Sequence, residues 1–114
     1  VEYIENSDGR RTLVAYSLGN FISAQNRGPR MLGGMINFDI AKNNNTGKVA
    51  IENVVFSGVV THYGYNASNV RIYPLADYTE ELASKHGVKS KTPDFSLQYL
   101  NNIMNEVIDK QFLK

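Results

Sequence analysis

Two hydroxyls and two amides fall close together in this chain: Ser17, Asn20, Ser23 and Gln25. They follow directly on an apolar run, Leu13-Val14-Ala15-Tyr16. Side chains of this kind bind and orient oxygen-bearing ligands by hydrogen bonding, and none is a strong base unaided. The end of a core strand is a common place for a scaffold to set binding residues. The same groups also suit a tight turn, where they satisfy backbone donors and acceptors. Residue types alone leave both readings open.

Metal and nucleophile chemistry have stricter demands. There is no cysteine, so a disulfide scaffold, a thiolate metal site and a Cys nucleophile are excluded. The two histidines are His62 and His86. His86 precedes Gly87 at an expected helix C-terminus and reads as a cap on the last carbonyls. His62 lies in Thr61-His62-Tyr63-Gly64-Tyr65 with no second His or carboxylate at ligand spacing. A metal centre needs several convergent ligands, so His62 reads as a strand residue. Neither a Gly-x-Ser-x-Gly elbow nor a phosphate loop is present. No metal site and no cofactor site are expected within this chain.

The elements that must carry these residues are mostly strands. Residues 1–5 alternate apolar and polar apart from Ile4, and Asn6-Ser7-Asp8-Gly9 is a hairpin turn signal. Residues 11–18 (RTLVAYSL) are apolar on both faces and read as a central strand. Gly19 ends it, free to take positive φ. Residues 26–30 hold Gly28 and Pro29 and read as a loop. Residues 33–40 give the next strand, with Ile36, Phe38 and Ile40 on one face and Met35, Asn37 and Asp39 on the other. A polar turn follows at residues 42–47. Residues 48–65 are too long for one straight strand, and the alternation slips at Asn53 and Gly58, predicting a bulge or break at each. Residues 70–73 form a last strand, closed by Pro74.

The final third turns helical. Asp77 and Glu80 have capping-box spacing, and Gly87 suits the stop. Thr92-Pro93-Asp94 reads as the start of a second helix. Leu97, Leu100, Met104, Val107 and Ile108 form its apolar stripe. The expected class is α+β: a mainly antiparallel β-rich part over residues 1–75 and a helical part over residues 76–114.

Composition bounds the partners. The chain has 114 residues, 42% hydrophobic and 20% charged, which fits one globular domain. A net charge of +1 gives no electrostatic footprint for nucleic acid and no polybasic membrane surface. No apolar run approaches the ~20 residues that span a bilayer. The sequence opens on Val1 in strand-like residues, which reads as a piece of a longer polypeptide. A cut sandwich would leave the faces of residues 33–40 and 49–56 open. Self-association or a covering C-terminal helix is then expected.

Residues 13–23 (LVAYSLGNFIS) resemble the signature of the bacterial capsule synthesis (CapA) family, also called the poly-gamma-glutamate synthesis family. Residues 33–36 (GGMI) are similar to that family's Gly-Gly strand, and residues 70–75 (VRIYPL) to a late segment of it. The resemblance covers residues 1 to about 75 and assigns no motif to the helices. It implies a piece of a metallophosphatase-like β-sandwich of the calcineurin type (α/β/β/α), with this chain as the C-terminal part. The family's metal ligands fall before the point matching Val1. The chain alone is therefore expected to be inactive, while a longer parent would be a phosphoesterase-like enzyme with divalent metal ions. The implied role is synthesis or export of poly-gamma-glutamate or capsular polysaccharide. The implied parent is membrane-anchored and faces outward at the bacterial cell surface, with this piece itself soluble. Partners would be the N-terminal part of the same chain, the surface polymer and other capsule synthesis subunits. Within the matching segment, Asn20 is the residue implied at the active centre. Its amide would contact a metal-bound oxygen or substrate, with Ser17 and Gln25 in support.

A second reading from the residues is a non-catalytic module that binds a polymer or a partner subunit. Tyr63, Tyr65 and Tyr73 with Asn66 and Asn69 would supply flat area and hydrogen-bonding groups. The plain alternative is that these tyrosines are strand residues half in the core.

Overall fold

The Asn6–Gly9 turn closes a hairpin, with Gly9 at φ +81° and its N–H donating to the Asn6 carbonyl at 3.0 Å. In the computed structural model, which describes residues 1–114, β1 (Glu2–Glu5) pairs antiparallel with β2 (Arg11–Val14). These two strands form a sheet of their own. The expected central strand over residues 11–18 is corrected here. β2 stops at Val14, paired with Glu2, and the chain then leaves this hairpin, with Gly19 bridging Gly33 instead. Tyr16 is consequently 74% exposed.

The main sheet is β3 (Leu32–Lys42), β4 (Val49–His62) and β5 (Arg71–Pro74), in the order β3-β4-β5 and antiparallel throughout. The register of β3 on β4 shifts between Asn37 and Asp39, which face Val55 and Glu52. Asn53 at φ +51° is the extra residue, as the slip in its alternation predicts. The break expected at Gly58 does not occur. Gly58 sits in register with Gly34, and the space its missing side chain leaves is filled by the Met104 methyl.

The helical part differs from expectation at each start. Asp77 ends a 3-10 turn, Leu75–Asp77, and Thr79 is the cap of α1 (Glu80–Ser84), accepting from the Leu82 N–H at 3.2 Å. α1 ends before Gly87, which opens a 3-10 turn, Gly87–Ser90. α2 (Leu97–Val107) begins after Pro93 because Phe95 is wholly buried and Ser96 supplies the cap, accepting from the Tyr99 N–H at 3.0 Å. Leu100, Met104 and Ile108 from its stripe join Met31, Phe56, Val60 and Phe112 in one core.

This core lies under the near half of the main sheet only. Phe38, Ile40 and Val49, in the far half, are 45%, 69% and 61% exposed. The molecule is 57 Å long and 21 Å thin, with a Cα radius of gyration of 17.3 Å. A compact chain of this length would have about 13 Å. No helix is long and apolar enough to cross a membrane.

Candidate functional site

The segment after β2 is fixed to the edge of the main sheet. The Gly34 N–H donates to the Leu18 carbonyl at 2.7 Å, and Gly19 bridges Gly33 antiparallel. Gly19 takes φ +72°, the left-handed conformation its sequence position predicts. The Thr61 hydroxyl donates to the Phe21 carbonyl at 3.1 Å, holding the segment beside β4 as well.

This geometry engages the side chains of Ser17, Asn20 and Ser23 but not that of Gln25. The Asn20 amide donates to the Arg30 carbonyl at 3.1 Å and ties the segment to the 3-10 helix Gly28–Met31. The Ser17 hydroxyl accepts from the Gly19 N–H at 3.2 Å, a turn bond within its own segment. Gln25 offers its backbone carbonyl to the Tyr63 hydroxyl at 2.6 Å, while its side chain is exposed. Ser23 accepts from the Gln25 N–H at 3.2 Å. The three candidates therefore do not line one cavity. Ser17 alone borders an apolar cleft of about 220 Å3 between residues 17–19 and α2, with Leu32, Phe56 and Ile103 among its walls. That cleft contains no titratable side chain, so it holds no acid or base.

The two histidines meet although they lie 24 positions apart in the sequence. Their ring centroids are 4.9 Å apart, edge to face. His86 is not a helix C-cap, as its place before Gly87 suggests. Its Nδ1 accepts from the Val88 N–H at 2.9 Å, capping the start of a 3-10 turn, and its Nε2 donates to the Thr61 carbonyl at 2.9 Å. His62 Nδ1 is 2.7 Å from the Tyr78 hydroxyl. Three of the four ring nitrogens are thus engaged within the fold. No group of three or more His, Asp or Glu side chains converges anywhere in the chain. The residues present do not fit a two-metal centre.

Burial of the His86 ring lowers its pKa from 6.5 to about 4, against the opposing pull of the Thr61 carbonyl. The unfolded chain therefore takes up a proton between these values that the folded chain refuses. Stability from this group is complete above about pH 6.5 and is lost as pH falls towards 4, by up to roughly 3 kcal/mol. Urea midpoints measured from pH 7.5 to 4 should show that slope, and His86→Gln should flatten it. An unchanged slope in the variant would remove His86 as its source.

The tyrosines of the binding reading divide between two places. Tyr63 is 5% exposed and belongs to the core, and Tyr65 is 84% exposed. Tyr63, Tyr65 and Asn66 border one cleft with Gly87 and Lys91. Asn69 and Tyr73 border another, with His62, Arg71 and Lys85. Arg71 and Lys85 escaped the sequence reading. The available signal was the alternation of residues 70–73, which puts Arg71 and Tyr73 on one face. No family model, curated protein or solved structure matches the chain.

Proposed function

We propose that this chain is a part of a capsule synthesis protein of the CapA kind, acting in synthesis or export of poly-gamma-glutamate or capsular polysaccharide. One observation carries the reading. The two segments with the strongest resemblance, residues 13–23 and 33–36, are separated by nine residues and interlock through the Leu18–Gly34 bond and the Gly19–Gly33 bridge. The third segment, residues 70–75, lies in the same sheet across β4. Segments that build one joint have reason to occur together.

On this reading the chain is a sandwich piece of a metallophosphatase-like fold, and any divalent metal is held by residues of the parent outside it. Asn20 then positions the joint and offers its amide oxygen nearby. The binding-module reading draws on a different feature, the Asn69–Tyr73 cleft with its two cations. Deleting the segment that encodes this chain from its host should abolish surface polymer, with recovery on complementation by the intact gene. Normal polymer after deletion would overturn the capsule reading. Complementation with Asn20→Ala separates the residue from the reading. Normal output from a stably folded Asn20→Ala parent takes Asn20 off the site, whereas loss of output at unchanged melting temperature keeps it there.

A further inference from the structure

The β4–β5 register places four side chains on one face at the open edge of the main sheet. Val60 faces Tyr73 and His62 faces Arg71. Directly opposed residues on an antiparallel pair share a face, with Cβ atoms about 5 Å apart. Val60 is buried at one end of this patch. At the other end His62, Arg71 and Tyr73 border a cavity of about 380 Å3, completed by Gly64, Asn69 and Lys85.

Every polar group that borders this cavity has bonding capacity left over. Arg71 is in no ion pair, and the Tyr73 hydroxyl, the Asn69 amide and His62 Nε2 have no hydrogen-bond partner in the chain. None of these atoms is buried without a partner, so all are open to solvent. The Tyr78 hydroxyl occupies Nδ1, so Nε2 is the His62 ring nitrogen left for a ligand. Tyr78 is well placed for this role, being 3% exposed and kept neutral by burial. No carboxylate borders the cavity. Lys85 Nζ is paired with Glu81 at 2.7 Å on the exposed side of α1.

The loop beside the cavity is also held in an uncommon shape. Asn66, Ala67 and Asn69 all have φ of +53°. Asn tolerates the left-handed region, but Ala gains nothing there, and such strain persists only where the surroundings impose it.

We propose that this cavity is a binding site for a phosphoryl dianion. Arg71 and Lys85 supply two positive charges, matching a phosphate monoester rather than a carboxylate. A guanidinium fork, an ammonium, an imidazole, a phenol and an amide border it together, which suits a group with several acceptor oxygens. Glu81 competes with the ligand for Lys85. The site stands apart from the capsule reading and does not depend on it.

The neighbours of His62 decide how it reports binding. It faces Arg71, Tyr73, Tyr78, His86 and Lys85, with Glu81 beyond Lys85. Burial and Arg71 hold its pKa below the usual value, and a bound dianion would raise it. The test is an NMR titration of the chain with inorganic phosphate at low salt, reading both histidine rings. The expected result is a saturable shift at His62, a higher His62 pKa and little change at His86. Arg71→Ala should weaken binding by about tenfold or more, since a charge-assisted bond is lost. Glu81→Gln should strengthen it by freeing Lys85, and this substitution lies on the exposed face of α1, where the fold tolerates it. A linear, non-saturating response would overturn the proposal. So would equal affinity in Arg71→Ala, or acetate binding as tightly as phosphate.

Discussion

Phe95→Ala is expected to cost about 3–5 kcal/mol, among the largest effects of any single substitution in the chain. Phe95 is fully buried within the single core. Its ring lies 4.7 Å from His86 and 5.8 Å from Tyr99, centroid to centroid. Lys89 Nζ donates to its carbonyl at 2.9 Å, so the backbone there is tied down and cannot move in to fill the void. A domain of this size has about 5–15 kcal/mol in total. The loss should therefore appear as a large drop in urea midpoint. A fall of under about 1 kcal/mol would mean that the 92–96 turn is not part of the core.

Gly33→Ala follows, at about 3 kcal/mol or somewhat more. An added Cβ would run into the Asn20 carbonyl, and the next atoms it meets are also backbone. A side chain could rotate away, but this segment is pinned by the Gly19 bridge and by Thr61. Gly34→Ala is the informative comparison, since its Cβ would meet the ring of Phe56, a side chain. Thermal denaturation of both variants should rank Gly33→Ala as the more damaging. The reverse order would show that residues 18–21 yield more readily than the core does.

Local signals were legible in this sequence wherever one residue decides the backbone. Asp8-Gly9 closes the first hairpin, Asn53 makes the bulge, and Gly19 turns left-handed. Signals that need a distant partner were not. Residues 15–18 are apolar enough for a strand, but the segment leaves β2 and docks on β3 through Leu18 and Gly19 instead. Pro93 has the chemistry of a helix start, yet burying Phe95 in the core moves the start to Ser96 and Leu97. His86 reads as a cap, and it is one, but on the opposite kind of terminus and with Thr61 as second partner.

The candidate site shows the same limit. Ser17, Asn20 and Gln25 are close in sequence, and that closeness suggested convergence. In an irregular segment that turns at Gly19, neighbours diverge: one hydroxyl turns back on Gly19, one amide crosses to Arg30, and the Gln25 side chain is exposed. His62, Arg71 and Lys85 do the reverse. They come from two strands and the residue that caps α1: the β4–β5 register sets His62 opposite Arg71, and the fold brings Lys85 beside them.

The uncovered far half of the β3–β4 ribbon has a consequence for how this chain responds to temperature. The heat capacity of unfolding grows with the apolar surface newly wetted. Phe38, Ile40 and Val49 are already largely wet in the folded chain, so releasing them adds little. The increment for the whole molecule must then fall below the roughly 12–15 cal/mol/K per residue usual for compact domains. A smaller increment makes the stability curve broad and shallow, so that warming and cooling around its maximum change the folded population less than they would in a chain of equal length with both sheet faces covered.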